Sequence, residues 1–310
     1  MKAATAAAHA NIALVKYWGK RDEALVLPEA GSLSVALDKL LTTTTVTLGE
    51  SEADSFILDG RPEDTRRVRA VLDAAGIRER ARIDSRNEFP TAAGLASSAS
   101  GFAALAVAAC AAAGLRKSVE ELSALARLGS GSAARSVPGG WAMWERESAR
   151  QVFPPSHWDL RFCIAICAAG AKPVGSREGM RATRETSPYH GAWIEQCRRD
   201  LPASLHLLKA RDLSGLGALA ERNALRMHAD ALAADPPLLY WQPATVACLL
   251  AVRELRGSGV EAWATIDAGP HVVAISSLAD AAAIEARLRG VPGVTDVLVC
   301  APAGPARVVP

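Results

Sequence analysis

The sequence predicts an α+β protein made of two intimately packed lobes, residues 1–168 and 169–310. Three observations carry that reading. The first half alternates runs rich in β-branched residues with stretches of helical spacing. The ending "SLADAAAIEARLRGVPGVTDVLV" reads helix, turn, strand, as in a small α+β sandwich. No repeat, low-complexity tract or long linker divides the chain.

The elements follow in order. "LTTTTVTLG" (Leu41–Gly49) is a strand by its β-branched content, and "DSFILDG" is a second, closed by a turn at Asp59-Gly60. "PEDTRRVRAVLDAAGIRERA" puts Val68, Val71, Leu72 and Ile77 on one helical side. "ARIDSRNEFP" is a strand that leads into a Gly/Ser-rich loop and an Ala-rich helix. "SVEELSALARLGSG" is a helix with Ser118 as N-cap and Glu121 three residues on, a capping box, and it stops at Gly129. "LRFCIAICAAG" opens the second half as a buried strand. Helices follow around 188–210, 213–228 and 243–257. "EAWATIDAGPHVVAIS" is a strand broken at Gly269-Pro270. A helix near 278–289 and the strand "VTDVLVC" come last.

With 310 residues, half of them apolar and 22% charged, the chain has the composition of a globular protein with a large core. Thirty-five basic and 33 acidic residues leave a net charge of +2. That balance argues against nucleic acid or a membrane surface as the main partner, and a small-molecule substrate is expected. An anionic ligand must then be held by a local cluster of charge. The six cysteines include no CxxC pair and no Cys/His spacing that suits zinc, so reduced, mostly buried thiols are expected. "MKAATAAAHANIALVKYWGK" lacks the long apolar core of a signal peptide, and Ala99 to Leu115 is too short to span a bilayer. A cytoplasmic location is expected.

The stretch "PTAAGLASSASGFAAL" (Pro90–Leu105) holds two glycines and three serines but no lysine. A helix N-terminus exposes unpaired N–H groups and partial positive charge, and behind a small-residue loop it makes a phosphate cradle. Gly94 allows close backbone approach. Ser97, Ser98 and Ser100 add hydroxyls for phosphate oxygens or a magnesium ion. Neither a Walker A loop nor a GxGxxG is present. By spacing alone, an ordinary capped helix with small packing residues is an equal reading.

Other groups carry chemistry. Lys16 and Lys20 lie four apart around Tyr17, Trp18 and Gly19 in an otherwise apolar stretch; the pair suits an anionic ligand or is simply solvated. "SGSAARS" places Ser130, Ser132 and Arg135 in a tight turn, where arginine can grip a carboxylate with two hydrogen bonds. A helix C-cap with a surface arginine is the alternative. "VGSREGM" offers Ser176 and Arg177 in a comparable setting. Asp267, in "WATIDAGPHVV", ends an apolar run, where a carboxylate is costly to bury unless paired; an Asx-turn cap is the plainer reading.

"PTAAGLASSASGFAALA" resembles the ATP loop of the GHMP kinase superfamily, in the form found in its diphosphomevalonate decarboxylase family. Agreement extends through "AHANIALVKYWGKRDEALVLPEAGSLSVALDKLLTTTTV", "LARLGSGSAARSVPGGWAMWE", "KPVGSREGM", "TSPYHGAW", "MHA" and "TIDAGPHVVAI", from about Ala8 to Val273. The resemblance implies the GHMP kinase fold: an N-terminal domain like ribosomal protein S5 domain 2 and a ferredoxin-like C-terminal domain, with the site in the cleft between them. It implies ATP at Pro90, Ala93, Gly94, Leu95, Ala96, Ser97, Ser98 and Ser100. It assigns Tyr17, Trp18, Gly19, Lys20, Ser130, Gly131, Ser132, Ala133, Ala134, Ser176 and Arg177 to the substrate. Arg67 matches a further diphosphate-binding arginine, or else lies on a solvated helix face. Asp267, Lys16 and Arg135 are the implied catalytic residues: base or orienting group at C3, charge at the moving phosphoryl group, and grip on the C1 carboxylate. ATP and Mg2+ are the implied cofactors, the metal ligands remain open, and a homodimer is the expected assembly. His271 stands where the family has asparagine, and Trp241 and Pro243 occupy an expectedly more polar segment.

The implied reaction is ATP-dependent decarboxylation of mevalonate 5-diphosphate. Its rivals are decarboxylation of the monophosphate, a kinase that phosphorylates C3 and stops, and a silent phospho-ligand sensor on the same fold. The joint presence of Lys16, Arg135 and Asp267 argues against the last two.

Overall fold

The computed structural model describes residues 2–50, 52–89, 97–167 and 174–310. Two long antiparallel strands, Lys2–Val15 and Ser32–Leu48, form the spine of an eight-stranded sheet, with Thr5 opposite Thr45. Ala81–Asn87 extends it, followed by Ser55–Leu58 in parallel and then Arg61–Pro62. Trp141–Trp144 pairs with the first half of Ser32–Leu48 and with Ala149–Phe153. The second sheet is antiparallel and four-stranded, in the order Ala262–Ile266, Val272–Ser277, Leu160–Ile166, Asp296–Cys300. Leu160–Ile166 thus joins the second sheet ahead of the expected division at residue 168. The last strand, Arg307–Val309, returns to pair with Lys2–Val15.

Several expectations hold because they rest on local physics. Val119–Gly129 carries its capping box: Ser118 Oγ accepts from the Glu121 amide, and the Glu121 carboxylate accepts from Ser118 N–H. Asp59 and Gly60 take positive φ of 49° and 77°, as the turn requires. Arg66–Ala74 buries Val68, Val71 and Leu72, and Ile77 is buried just past its end. The helices His190–Ala210, Leu213–Leu232, Pro243–Gly257 and Ala281–Arg289 and the break around Gly269-Pro270 fall where the pattern put them.

Ser97–Ala112 is apolar on all sides and packs against both long strands. Its alanines let the backbone approach the sheet closely, and twelve of its residues are buried. A second cluster joins the two sheets: Leu14, Val35 and Trp141 of the first meet Phe162, Ile164 and Val273 of the second, with Leu201, Leu216 and Leu219 from the helices. This shared core holds the ends of strands from both sheets at fixed separation. All six cysteines are free and buried, and no described helix is long and apolar enough to cross a membrane.

Candidate active site

Lys16 follows the last residue of Lys2–Val15, and Asp267 follows the last residue of Ala262–Ile266. The two strand ends, one from each sheet, converge. Lys16 Nζ donates to Asp267 Oδ1 at 2.6 Å and to the Ala13 carbonyl at 2.7 Å. The Lys16 amide donates to Asn223 Oδ1 at 2.8 Å, and Asn223 is held in turn by Asp200. Burial pushes the Lys16 ammonium down from its usual range, and the Asp267 carboxylate opposes that shift. His228 bonds the Asp267 carbonyl at 3.2 Å; burial, with Lys16 beside it, lowers its imidazole to about 4, so the ring is neutral at pH 7.

Arg135 comes from the short helix Ala133–Ser136 and is almost fully buried. Its Nε donates to Asn11 Oδ1 at 3.1 Å and Ser34 Oγ at 3.0 Å, and its Nη1 to Ser32 Oγ at 2.7 Å. Three neutral acceptors fix the fork, while Nη2 makes no hydrogen bond to a described residue. Burial lowers the guanidinium to about 10, opposed by Asp267, so it stays charged at neutral pH.

Lys16, Arg135 and Asp267 line one cavity of about 330 Å³ with Tyr17, Trp18, Lys20, Arg67, Ser98, Ser130, Gly131, Ser132, Ser176 and Arg177. Arg67 donates through Nε to the Gly129 carbonyl at 2.7 Å, and Arg177 Nη2 donates to the same carbonyl at 3.3 Å. Burial lowers Arg67 to about 10, and the adjacent Arg177 adds to the shift. Among the described residues Arg67, Arg135 and Arg177 form no ion pair, whereas Lys16 pairs with Asp267 and Lys20 with Glu23. Among the described residues, five cations and a single carboxylate line the cavity, which therefore favours an anion of high charge.

Tyr17 sets its ring edge-on to Trp144 at 4.7 Å, and its buried hydroxyl has no hydrogen-bond partner among the described residues. A Cβ at Gly131 would lie 2.7 Å from that hydroxyl, so the turn needs glycine there. The serines form a chain across the mouth: Ser98 Oγ is 3.1 Å from Ser130 Oγ, which is 3.3 Å from Ser132 Oγ. A neighbouring cavity of about 180 Å³ shares Arg67 and Ser98 and is lined by Phe56, Leu58, Val68, Phe102, Ser97 and Thr44 among others.

Not every expected residue faces these cavities. Ser100 is fully buried, its hydroxyl bonded to Thr42 Oγ1 at 2.6 Å and to the Ser97 carbonyl at 3.2 Å, because that position of the helix faces the sheet. Ala133 and Ala134 are also fully buried and line neither cavity. Gly19 packs behind the site against Glu29 and His190. Pro90, Ala93, Gly94, Leu95 and Ala96 lie outside the described residues. Sequence reasoning passed over Asn11, Ser32, Ser34 and Asn223. For the serines a signal was present: in "SLSVAL" they recur at the strand period of two and share a face.

Comparison with known proteins agrees along both halves. Residues 8–152 match the family model of the diphosphomevalonate decarboxylase-like N-terminal domain. Residues 162–296 match that of the mevalonate 5-diphosphate decarboxylase C-terminal domain. The diphosphomevalonate decarboxylase of Homo sapiens is 37% identical over 311 residues, 88% of this chain and 76% of its own. That of Aspergillus fumigatus, mvd1, is 37% identical over 306 residues, 87% and 76% of the respective chains. The crystal structure of mevalonate diphosphate decarboxylase from Staphylococcus aureus superposes with a TM-score of 0.94 at 36% identity, covering 99% of this chain and 98% of that one. A complex of MDDEF with MVAPP, AMPPCP and magnesium gives 0.92 at 37% identity, over 99% and 98% of the two chains.

Proposed function

The chain belongs to the diphosphomevalonate decarboxylase family, and we infer that it carries out ATP-dependent decarboxylation of mevalonate 5-diphosphate to isopentenyl diphosphate, ADP, phosphate and carbon dioxide. Its fold is the GHMP kinase fold. The observation that carries the chemical reading is the Lys16–Asp267 pair at 2.6 Å, set in one cavity with Arg135, Arg67 and Arg177, which form no ion pair among the described residues.

The residue types follow from the reaction. A tertiary hydroxyl is a poor leaving group, so it is first phosphorylated. Asp267 accepts or orients that hydroxyl proton, and Lys16 places positive charge beside the transferring phosphoryl group. Arg135, its fork held by Asn11, Ser34 and Ser32, turns Nη2 to the substrate carboxylate and keeps it aligned for loss as carbon dioxide. Tyr17, Lys20, Ser176 and Arg177 meet the diphosphate tail. The nucleotide runs along the N-terminus of Ser97–Ala112, with its base in the neighbouring, more apolar cavity.

ATP and Mg2+ are the cofactors. The Asp267 carboxylate and the Ser98 hydroxyl are oxygen donors that fit a magnesium ion carried mainly by phosphate oxygens and water. When bound, the ion neutralises phosphate charge during transfer.

Two finer points belong to the same reading. The two-lobe division falls before Leu160 rather than at 168, with the last strand returned to the first sheet. A reducing, cytoplasmic setting suits six free buried thiols. Light scattering decides the homodimer.

The test supplies mevalonate 5-phosphate and mevalonate 5-diphosphate with ATP and measures ADP and carbon dioxide. Preference for the diphosphate is expected, and preference for the monophosphate overturns the assignment. Arg177→Ala should cost the diphosphate more than the monophosphate, mainly in KM, because the longer tail brings more charge and acceptors. An unchanged preference removes Arg177 from the tail. Ser98→Ala should raise KM for ATP several-fold with little change in KM for the mevalonate ester. Ser100→Ala should do the reverse of a binding variant: stability falls by about 1–2 kcal/mol while KM for ATP holds, since it loses only the buried hydrogen bonds to Thr42 and the Ser97 carbonyl. Equal effects on KM for ATP would return Ser100 to the nucleotide site.

A further inference from the structure

We propose that His190 is a positioning residue for the substrate-tail side of the site: its imidazolium, clamped between Asp230 and Glu29, holds the Trp18–Gly19–Lys20 turn in its binding geometry and lets it loosen when the ring loses a proton. The inference rests on the reading that this turn meets the substrate.

His190 opens the helix His190–Ala210 and is buried. Its Nδ1 lies 2.8 Å from Asp230 Oδ2, and its Nε2 lies 3.2 Å from Glu29 Oε2. Two carboxylates therefore share one ring, and both nitrogens must carry protons to serve them. The charged groups around the ring are Asp230, from Leu213–Leu232, Glu29, from the loop before Ser32–Leu48, and Arg184, from Ser176–Thr186, 3.7 Å from the Glu29 carboxylate. Burial alone would push the imidazole down. The bonds to Asp230 and Glu29 together outweigh it and hold the ring above its usual range.

The turn is built directly on this clamp. The Glu29 amide donates to the Gly19 carbonyl at 3.1 Å, and Trp193 Nε1, one turn along from His190, donates to the Trp18 carbonyl at 2.9 Å. Gly19 takes φ of 133°, and a Cβ there would sit 3.2 Å from both Glu29 Oε2 and His190 Cε1. Lys20 continues into a short strand paired with Pro28, one residue before Glu29. Glu29 therefore ties the turn to the ring at both backbone and side chain.

A neutral imidazole has one N–H to give. It stays on Nδ1, because Asp230 is the closer acceptor and is 1% exposed, with Oδ1 lacking a partner among the described residues. Nε2 then presents a lone pair to the Glu29 carboxylate, which is 26% exposed and free to swing toward Arg184. Because the folded-state value is raised, the hold is complete below the ordinary histidine range, about 6.5, and fades as pH rises through the folded value.

The experiment measures KM and kcat for mevalonate 5-diphosphate from pH 6 to 9 in the wild type, Glu29→Gln and His190→Gln, with an NMR titration of the His190 ring. The glutamine amide can donate to a neutral ring or accept from a charged one, so Glu29→Gln should be insensitive to the titration. The ratio of wild-type to Glu29→Gln KM cancels the ionisation of the substrate itself. It should rise about five- to tenfold across the His190 titration, the scale of one charge-assisted hydrogen bond, with kcat unchanged. His190→Gln should show a raised KM with no such step. The ring should titrate above 6.5 in the wild type and lower in Glu29→Gln. A flat KM ratio, or a ring titrating at or below 6.5, overturns the proposal. If neither mevalonate ester is turned over, the functional reading fails, while the ring's response to Glu29→Gln still decides the clamp.

Discussion

Asp267→Asn is expected to lower kcat by about a hundredfold or more while both substrates bind within a few-fold of wild type. The amide matches the carboxylate in shape but cannot take a proton. The structure adds a second effect. Asp267 is the carboxylate that opposes the desolvation of Lys16, which is 2% exposed. Without it the buried ammonium shifts further toward the neutral amine, and charge is lost where phosphoryl transfer needs it. The two contributions separate by pH. The part owed to Lys16 recovers as pH falls and the amine is protonated again; the part owed to the missing carboxylate does not. Steady-state kcat with ADP and carbon dioxide quantified, across pH, measures both. Activity within a few-fold of wild type would take Asp267 out of the chemistry.

Arg135→Lys should reduce kcat/KM by about a hundredfold, mostly in kcat, although the charge is kept. A single ammonium cannot bond Asn11, Ser34 and Ser32 while also presenting a donor to a substrate carboxylate. The reacting carboxylate would then sit out of line with the departing phosphate. Stability should fall as well, by about 1–3 kcal/mol, because buried acceptors lose their donor. Thermal unfolding measures that loss separately and keeps the kinetic effect interpretable. A drop in kcat below about fivefold in a folded variant would show that Arg135 serves packing alone.

Much of the fold was legible in short stretches. Val119–Gly129 was readable from Ser118 and Glu121, and Arg66–Ala74 from the spacing of Val68, Val71 and Leu72, because caps and helical faces are settled within four residues. The strand Lys2–Val15 was not. It is rich in alanine, a poor strand former, and holds its form because Ser32–Leu48 and Arg307–Val309 pair with it on either side. The helix Ser176–Thr186 and the hairpin of Trp141–Trp144 and Ala149–Phe153 were likewise unread; the hairpin joins the sheet only through Ser32–Val35, more than a hundred residues earlier in the chain.

The sequence by itself determined which chemical groups the site could use: lysines around an aromatic turn, serines at a helix start, an arginine in a small-residue turn, an aspartate at a strand end. Those are properties of residue type and near neighbours. Only the tertiary structure decided how they act. It brought Lys16 to Asp267 across 251 residues, turned Ser98 toward the cavities and Ser100 into the sheet, set Arg67 and Arg177 on one carbonyl, and placed His190 between two carboxylates. Each depends on where strands from two sheets end over a shared core and on how far each group is withdrawn from water. Desolvation and charge pairing are sums over neighbours in space, and those neighbours exist only once the chain has folded.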